Sequence, residues 1–302
     1  MRVFAVCEDR RMLIAQISDL HIAEDGELMR KFVDSNAKLA EAVAYLNGLE
    51  RRPDIVLATG DLTDHGRPEQ YALLADILSE LECPIYLVPG NHDEREPLRE
   101  MALRMGLSFV PTEGPIQYVI DDWPVRLVAV DSMREGHHDG QLDDARLAWI
   151  DHVLGQEPDR PTLLFLHHPP FETGIWWMDL MGLEGSDRLR EIVARHPQLV
   201  RILSGHLHRP IETMWGSTLV SCAPSTAHQT QCNLHPDHSP VIAAEPPAVQ
   251  LHWWTGDGFV SHTTPFGAPT MAINFAEMMP NWPAVRERMR QGPPFDKGGA
   301  IG

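Results

Sequence analysis

Aspartate, asparagine and histidine recur along this chain in five short groups: Asp19 with His21, Asp61 alone, Asn91 with His92 and Asp93, His167 with His168, and His206 with His208. Carboxylate and amide oxygens together with imidazole nitrogens suit hard or borderline divalent cations, and a carboxylate has two oxygens with which to bridge a pair of them. Residues two apart can be aimed the same way where the chain turns just past a strand. Gly60 before Asp61 and Gly90 before Asn91 permit such a turn. Each group has a plainer reading when taken singly. An aspartate after a strand is usually a cap or turn residue, a lone core histidine is usually hydrogen-bonded, and Gly-Asn favours a turn. The weight lies in the set, because every group ends a short apolar run: MLIAQIS, DIVLATG, PIYLVPG, PTLLFL and LVRILSG.

Runs of that length and composition read as buried strands. Between them, residues 30–50 and 68–82 carry apolar side chains at helical spacing, the second after a Pro68 suited to a first helical turn, and 141–154 and 186–196 repeat the pattern. Alternating strands and helices imply a largely parallel sheet, whose ligands lie beyond the carboxyl ends of the strands. Further strands at 116–120, 125–130, 218–222, 248–254 and 258–263, several in hairpin-like order, call for a second, more antiparallel sheet. The expected fold is therefore α/β, a four-layer αββα sandwich of two mixed sheets flanked by helices, with the site at the strand carboxyl ends. Residues 1–270 would form the catalytic domain and 271–302 a tail, loosely ordered from Pro280. The irregular stretches 171–185 and 228–247 would form a lid, a substrate wall or an oligomer contact. Trp176, Trp177, Met178 and Met181 either face a substrate or pack a contact between copies of a homo-oligomer.

With Lys+Arg 25 against Asp+Glu 43, a net charge of −18 disfavours a nucleic-acid polymer as partner. It leaves room for a small anion, since bound dications reverse the field locally. Cys7, Cys83, Cys222 and Cys232 form no C-x-x-C pair, and a Cys222–Cys232 link stays open. The charged N-terminus lacks the apolar core of a signal peptide and no apolar run reaches membrane-spanning length, so a cytoplasmic protein is expected.

The ordered set D-x-H, G-D, G-N-H-D, a strand-terminal H and G-H-x-H resembles the calcineurin-like metallophosphoesterase family over about residues 12–265. The resemblance implies two divalent metal ions, one held by Asp19, His21, Asp61 and His208 and the other by Asp61, Asn91, His167 and His206. Mixed donors admit Mn, Fe, Zn or Co. A water shared by two such ions supplies hydroxide near neutral pH, which attacks phosphorus in line. His92 matches the family's catalytic histidine that is not a ligand, and Asp64 stands where some members orient it. LTDHGRPEQY at 62–71 and HHPPF at 167–171 are similar to cyclic-nucleotide phosphodiesterases of class III and to bacterial glycerophosphodiesterases. EGHHDGQL at 135–142 resembles a histidine-rich segment bordering the site in the former, which nominates His137 for substrate binding, and PSTAHQ at 224–229 nominates His228. A small phosphodiester is the expected substrate, with a broad phosphomonoesterase as alternative. A nuclease would need a basic aromatic groove, and a non-catalytic scaffold would have lost ligands.

Overall fold

The computed structural model describes residues 11–24, 32–267, 274, 276 and 281–291. The apolar runs are strands, buried throughout except at Val200, and their amide groups are satisfied within two sheets. In the first sheet β1 (Met12–Ile17), β2 (Ile55–Thr59) and β3 (Ile85–Val88) run parallel, with Ala15 opposite Val56 and Leu57 opposite Tyr86. β14 (Ala248–Trp254) pairs antiparallel with β1, and β15 (Phe259–Pro265) with β14, giving the order β15-β14-β1-β2-β3.

The second sheet joins β4 (Tyr118–Ile120), β5 (Arg126–Ala129), β7 (Thr162–Phe165), β9 (Leu199–Ser204), β10 (Ile211–Trp215) and β11 (Thr218–Cys222) in the order β10-β11-β9-β7-β5-β4. Its middle strands β5, β7, β9 and β11 are parallel, and β4 and β10 are antiparallel edges. Two small pairings tie loops together: β6 (Gly140–Gln141) with β8 (Leu183–Glu184), and β12 (Gln229–Thr230) with β13 (Ile242–Ala243).

Alternation of side chains builds the layers. In the second sheet Leu127, Ala129, Leu163, Phe165 and Leu203 pack toward the first sheet, while Val128, Leu164 and Ile202 pack the other way. The outer face takes Leu147, Ile150 and Leu154 of α4 (Asp144–Gln156) and Leu189, Ile192 and Val193 of α6 (Ser186–Arg195). The first sheet is covered by α1 (Ser35–Asn47) through Leu39, Ala42, Val43 and Leu46, and by α2 (Pro68–Leu78) through Tyr71, Leu74 and Leu78. The fold is thus α/β with two mixed sheets flanked by helices. Asp34 and Asp143 cap α1 and α4 by accepting from Ala37 N at 2.9 Å and Arg146 N at 2.8 Å.

Besides the short pairings in loops, α3, β10 and the last helix depart from the sequence expectation. α3 (Arg95–Arg104) is charged on most sides and buries only Leu98, Met101 and Ala102, too narrow a stripe to register. β10 is an edge strand with alternate residues exposed. Helix α7 (Trp282–Gln291) forms where a loose tail was expected, in a unit Ala268–Gly302 that contacts separate from Met1–Gly267. Within 171–185, the single turn α5 (Trp176–Asp179) is fastened by Thr173 N and Gly174 N donating to the Asp179 carboxylate, and Trp176 Nε1 donates to His238 O at 3.0 Å, so this segment packs on the 228–247 segment. Cys222 is a buried free thiol donating to Gly205 O at 3.2 Å and Cys232 is exposed, so they are not linked. Among the described residues no helix is long and apolar enough to cross a membrane.

Candidate metal centre

All five groups lie just past the carboxyl ends of parallel strands, two from β1 and β2, one from β3, and two from β7 and β9. The backbone there is unusual. Among the described residues, the non-glycine positions with positive φ are Asp19 (52°), His21 (46°), Asp61 (47°), His206 (70°) and His208 (52°). That conformation crowds Cβ against the backbone and persists only where surrounding structure enforces it. Here the enforcement is a set of main-chain bonds: Asp19 N to Gly60 O at 3.0 Å, His21 N to Asp61 O at 3.0 Å, and Gly205 N to His167 O at 2.9 Å. Gly60, at φ +90°, has no room for a side chain, since a Cβ would fall 2.4 Å from His167 Nδ1.

The loops bring donor atoms together in two sets. One ligand atom from each of Asp19, His21, Asp61 and His208 lies within 4.8 Å of the others. His208 Nε2 is 3.3 Å from Asp19 Oδ1, and His21 Nε2 is 3.7 Å from Asp61 Oδ2. On the other side His167 Nε2 is 3.4 Å from Asp61 Oδ1 and 3.2 Å from Asn91 Oδ1, with the His206 ring 5.2 Å from that of His167. The two oxygens of Asp61 therefore face opposite sets.

Each imidazole spends one nitrogen on the protein. His167 Nδ1 donates to Thr59 O at 2.8 Å, His208 Nδ1 to His228 O at 2.9 Å, His206 Nε2 to Met181 O at 3.0 Å, and His21 Nδ1 to Asp64 Oδ1 at 3.3 Å. Such partners fix the tautomer and turn the remaining lone pair inward, as they do behind metal-bound histidines. The consequence is sharpest at His21 and His208, whose Nε2 atoms lie 3.2 Å apart. Two imidazole nitrogens this close in a buried site need a proton or a cation between them.

The electrostatics agree. Burial pushes the Asp61 carboxyl up, but His167, His92 and His21 outweigh it and hold it well below the usual range. Burial likewise opposes ionisation of Asp19, and His208 overcomes it. His167 is driven up to about 9, because the Asp61 carboxylate outweighs burial, whereas burial and the neighbouring His167 push His206 down to about 3. Buried carboxylates and imidazoles that perturb one another this strongly are the donor set a divalent cation takes.

The remaining sequence candidates fall in different places. His92 borders the centre, its N–H donating to Asp61 Oδ1 at 2.9 Å and its Nδ1 to Asp64 O at 2.8 Å. The expected orienting role of Asp64 is thus carried by its main-chain carbonyl, and its carboxylate sits nearer His21, at 3.3 Å, than His92, at 3.7 Å. His228 is buried with its ring 4.4 Å from that of His208 and lines the cavity beside the centre. His137 is half exposed, lies 3.5 Å from Asp139 and does not line that cavity; its neighbour His138 does. Sequence reading also gave no role to Asp93. Its buried carboxylate accepts from Leu62 N, Thr63 N, Thr63 Oγ1, Tyr71 OH and Gly90 N at 2.9 to 3.1 Å, tying the Asp61 loop to the Asn91 loop. Its place in G-N-H-D was the available signal.

The cavity holds about 430 Å³ and is lined by polar His92, His138, His206 and His228 together with apolar Trp177, Met178, Leu180, Met181 and Ile242. Both the 171–185 and 228–247 segments thus contribute lining residues, and Trp176 contacts His238 between them.

Residues 12–210 match the calcineurin-like phosphoesterases. This chain belongs to the calcineurin-like phosphoesterase family. It is 36% identical over 258 residues to a probable glycerophosphodiester phosphodiesterase of Arcobacter nitrofigilis, covering 85% of this chain and 94% of that one. It is 35% identical over 243 residues to a probable cyclic nucleotide phosphodiesterase of Synechococcus, covering 80% of this chain and 91% of the other. In three dimensions it is similar to a dimetal phosphatase from Danio rerio with TM-score 0.56 and 17% identity, over 85% of this phosphoesterase and 99% of that chain. As a calcineurin-like metallophosphoesterase it is a metal-dependent enzyme, and the buried His and Asp cluster is where this chain can bind metal.

Proposed function

We propose that this phosphoesterase hydrolyses small phosphodiesters, with Asp19, His21, Asp61 and His208 holding one divalent cation and Asp61, Asn91, His167 and His206 a second. The observation that carries it is the paired approach of His21 Nε2 and His208 Nε2 at 3.2 Å, each ring having already committed its Nδ1. Mn, Fe, Zn or Co would suit these mixed donors. Bound there, a pair of dications lowers the pKa of water toward neutrality and neutralises charge on phosphoryl oxygens.

The chain's own groups do the rest. Asp61 presents one oxygen to each donor set, and Asn91 adds a neutral oxygen. His92 donates Nδ1–H to Asp64 O, so in its doubly protonated form it has an Nε2–H with which to meet a phosphoryl oxygen or to give a proton to the departing alkoxide. No lysine or arginine stands among the described residues that line the cavity. A monoester dianion would find no side-chain cation there, whereas a diester monoanion needs fewer, and this favours the diester. The cavity has the size of a small-molecule site, and both glycerophosphodiesters and cyclic nucleotides, named for the relatives, fall in that class.

The test is a comparison of rates on bis-p-nitrophenyl phosphate and p-nitrophenyl phosphate with metal-analysed protein. The diester should turn over at least about tenfold faster in kcat/KM, a difference equal to roughly 1.4 kcal/mol of barrier. A preference for the monoester would overturn the reading. Cyclic AMP and a glycerophosphodiester, run alongside, separate the two diester classes.

A further inference from the structure

His138 stands apart from the groups that the metal centre uses. It lies in the loop between β5 and α4, where Gln141 N donates to Ser132 O at 2.9 Å and closes residues 133–140 at their base. An Arg134–Asp139 ion pair at 2.9 Å braces the loop from outside. From inside, fully buried His168 reads as a brace too. Its Nε2 donates to the His138 carbonyl at 3.2 Å and its Nδ1 accepts from Ser132 Oγ at 2.9 Å, a pattern that one neutral tautomer satisfies. Gly140 packs so closely on this ring that a Cβ would fall 2.4 Å from His168 Cγ. A buried histidine is thus devoted to fixing the backbone of an exposed one. The ring of His138 lines the cavity with its centroid 6.1 Å from that of His92, and its Nδ1 lies 3.5 Å from Asn91 Nδ2. Accepting from that amide at Nδ1 leaves the proton on Nε2, a donor at the cavity.

We propose that His138 is a substrate-contacting residue of this phosphoesterase, giving a hydrogen bond from Nε2 to an oxygen of the phosphodiester on the side of the cavity that His92 borders. The inference rests on the diesterase reading above. Its force comes from the cavity's lack of lysine and arginine: besides metal, the phosphate is left with imidazole, amide, hydroxyl and indole donors, and His138 is the one beside His92 and Asn91. The adjacent His137, turned out to Asp139, is an internal control.

The experiment uses metal-loaded full-length protein as wild type, His138→Ala, His138→Gln and His137→Ala. It measures metal content, kcat and KM on bis-p-nitrophenyl phosphate, and affinity for inorganic phosphate by calorimetry. His138→Ala should keep its metal yet lose roughly tenfold in kcat/KM and bind phosphate correspondingly more weakly, the size expected for a hydrogen bond to a charged group. His138→Gln, whose amide can still donate, should recover part of both, and His137→Ala should match wild type. Unchanged phosphate affinity and kcat/KM in His138→Ala would overturn the proposal. So would loss of metal in that variant, which would make His138 a prop for Asn91, or an equal defect in His137→Ala. If wild type fails to hydrolyse the diester, the diesterase reading falls, and phosphate affinity still tests the contact.

Discussion

The carboxylate of Asp64 accepts from His21 Nδ1 at 3.3 Å, while the main-chain carbonyl of the same residue accepts from His92 Nδ1 at 2.8 Å. One residue therefore serves a candidate ligand with its side chain and a candidate catalytic group with its backbone. Asp64→Asn should weaken metal binding about 10- to 100-fold, as losing such an outer partner does, and leave His92 in place. Metal titrations of the apoprotein read this directly. Unchanged affinity with reduced kcat would show instead that the carboxylate works through His92.

His92→Ala removes a group that lines the cavity but is not among the ligands proposed for either cation. Metal content should stay at the wild-type level and kcat should fall by about 10²- to 10⁴-fold, most steeply for esters with poor leaving groups. A loss that is the same for good and poor leaving groups would argue against proton donation by this ring.

Gly60 tests whether the ligand loops depend on backbone that only glycine can adopt. Gly60→Ala puts a Cβ 2.4 Å from His167 Nδ1 at a φ of +90°, so His167 must move and metal should be lost along with activity. Gly216 also has positive φ, at +60°, but nothing lies within 4 Å of its would-be Cβ. Gly216→Ala should cost about 1–2 kcal/mol of stability, visible in thermal melts, with full metal content. Equal metal retention in both variants would remove the argument from close approach.

His252 makes stability depend on pH. It is fully buried, with Nε2 3.0 Å from Gln16 Oε1 and Nδ1 2.7 Å from Ser261 Oγ; burial and then Arg201 hold its pKa well below 6.5. The folded state keeps this ring neutral while the unfolded chain protonates it near 6.5. Below that pH the unfolded state binds the extra proton, and stability falls by about 1.4 kcal/mol per pH unit until the folded pKa is reached. His252→Gln should lose less stability than wild type in urea melts between pH 7 and pH 5.5. Parallel losses in the two proteins would sink the assignment.

The strands and the ligand groups were legible because both are local signals. A buried parallel strand is a short apolar run, and its carboxyl end is the next two or three residues, so MLIAQIS followed by Asp19 and His21 carries element and donors together. α3 escaped because its charged residues mask a stripe of only Leu98, Met101 and Ala102, and β10 because an edge strand buries little. The Asp64 carbonyl could not have been read, since main-chain atoms leave no mark in the residue types. Between His137 and His138 the sequence offered no grounds for choice, because neighbours in a loop point in directions set by what braces the loop.

By itself the sequence determined which donors exist, in what order, and at which end of the sheet they stand, since strand, turn and donor are contiguous. The tertiary structure decided what depends on distance between remote segments. It set the two oxygens of Asp61 toward different partners, turned His21 and His208 nitrogen to nitrogen, and brought residues of the 171–185 segment into the cavity lining. Those relations come from packing one sheet on another, which brings His21 and His208, 187 residues apart, to within hydrogen-bond distance.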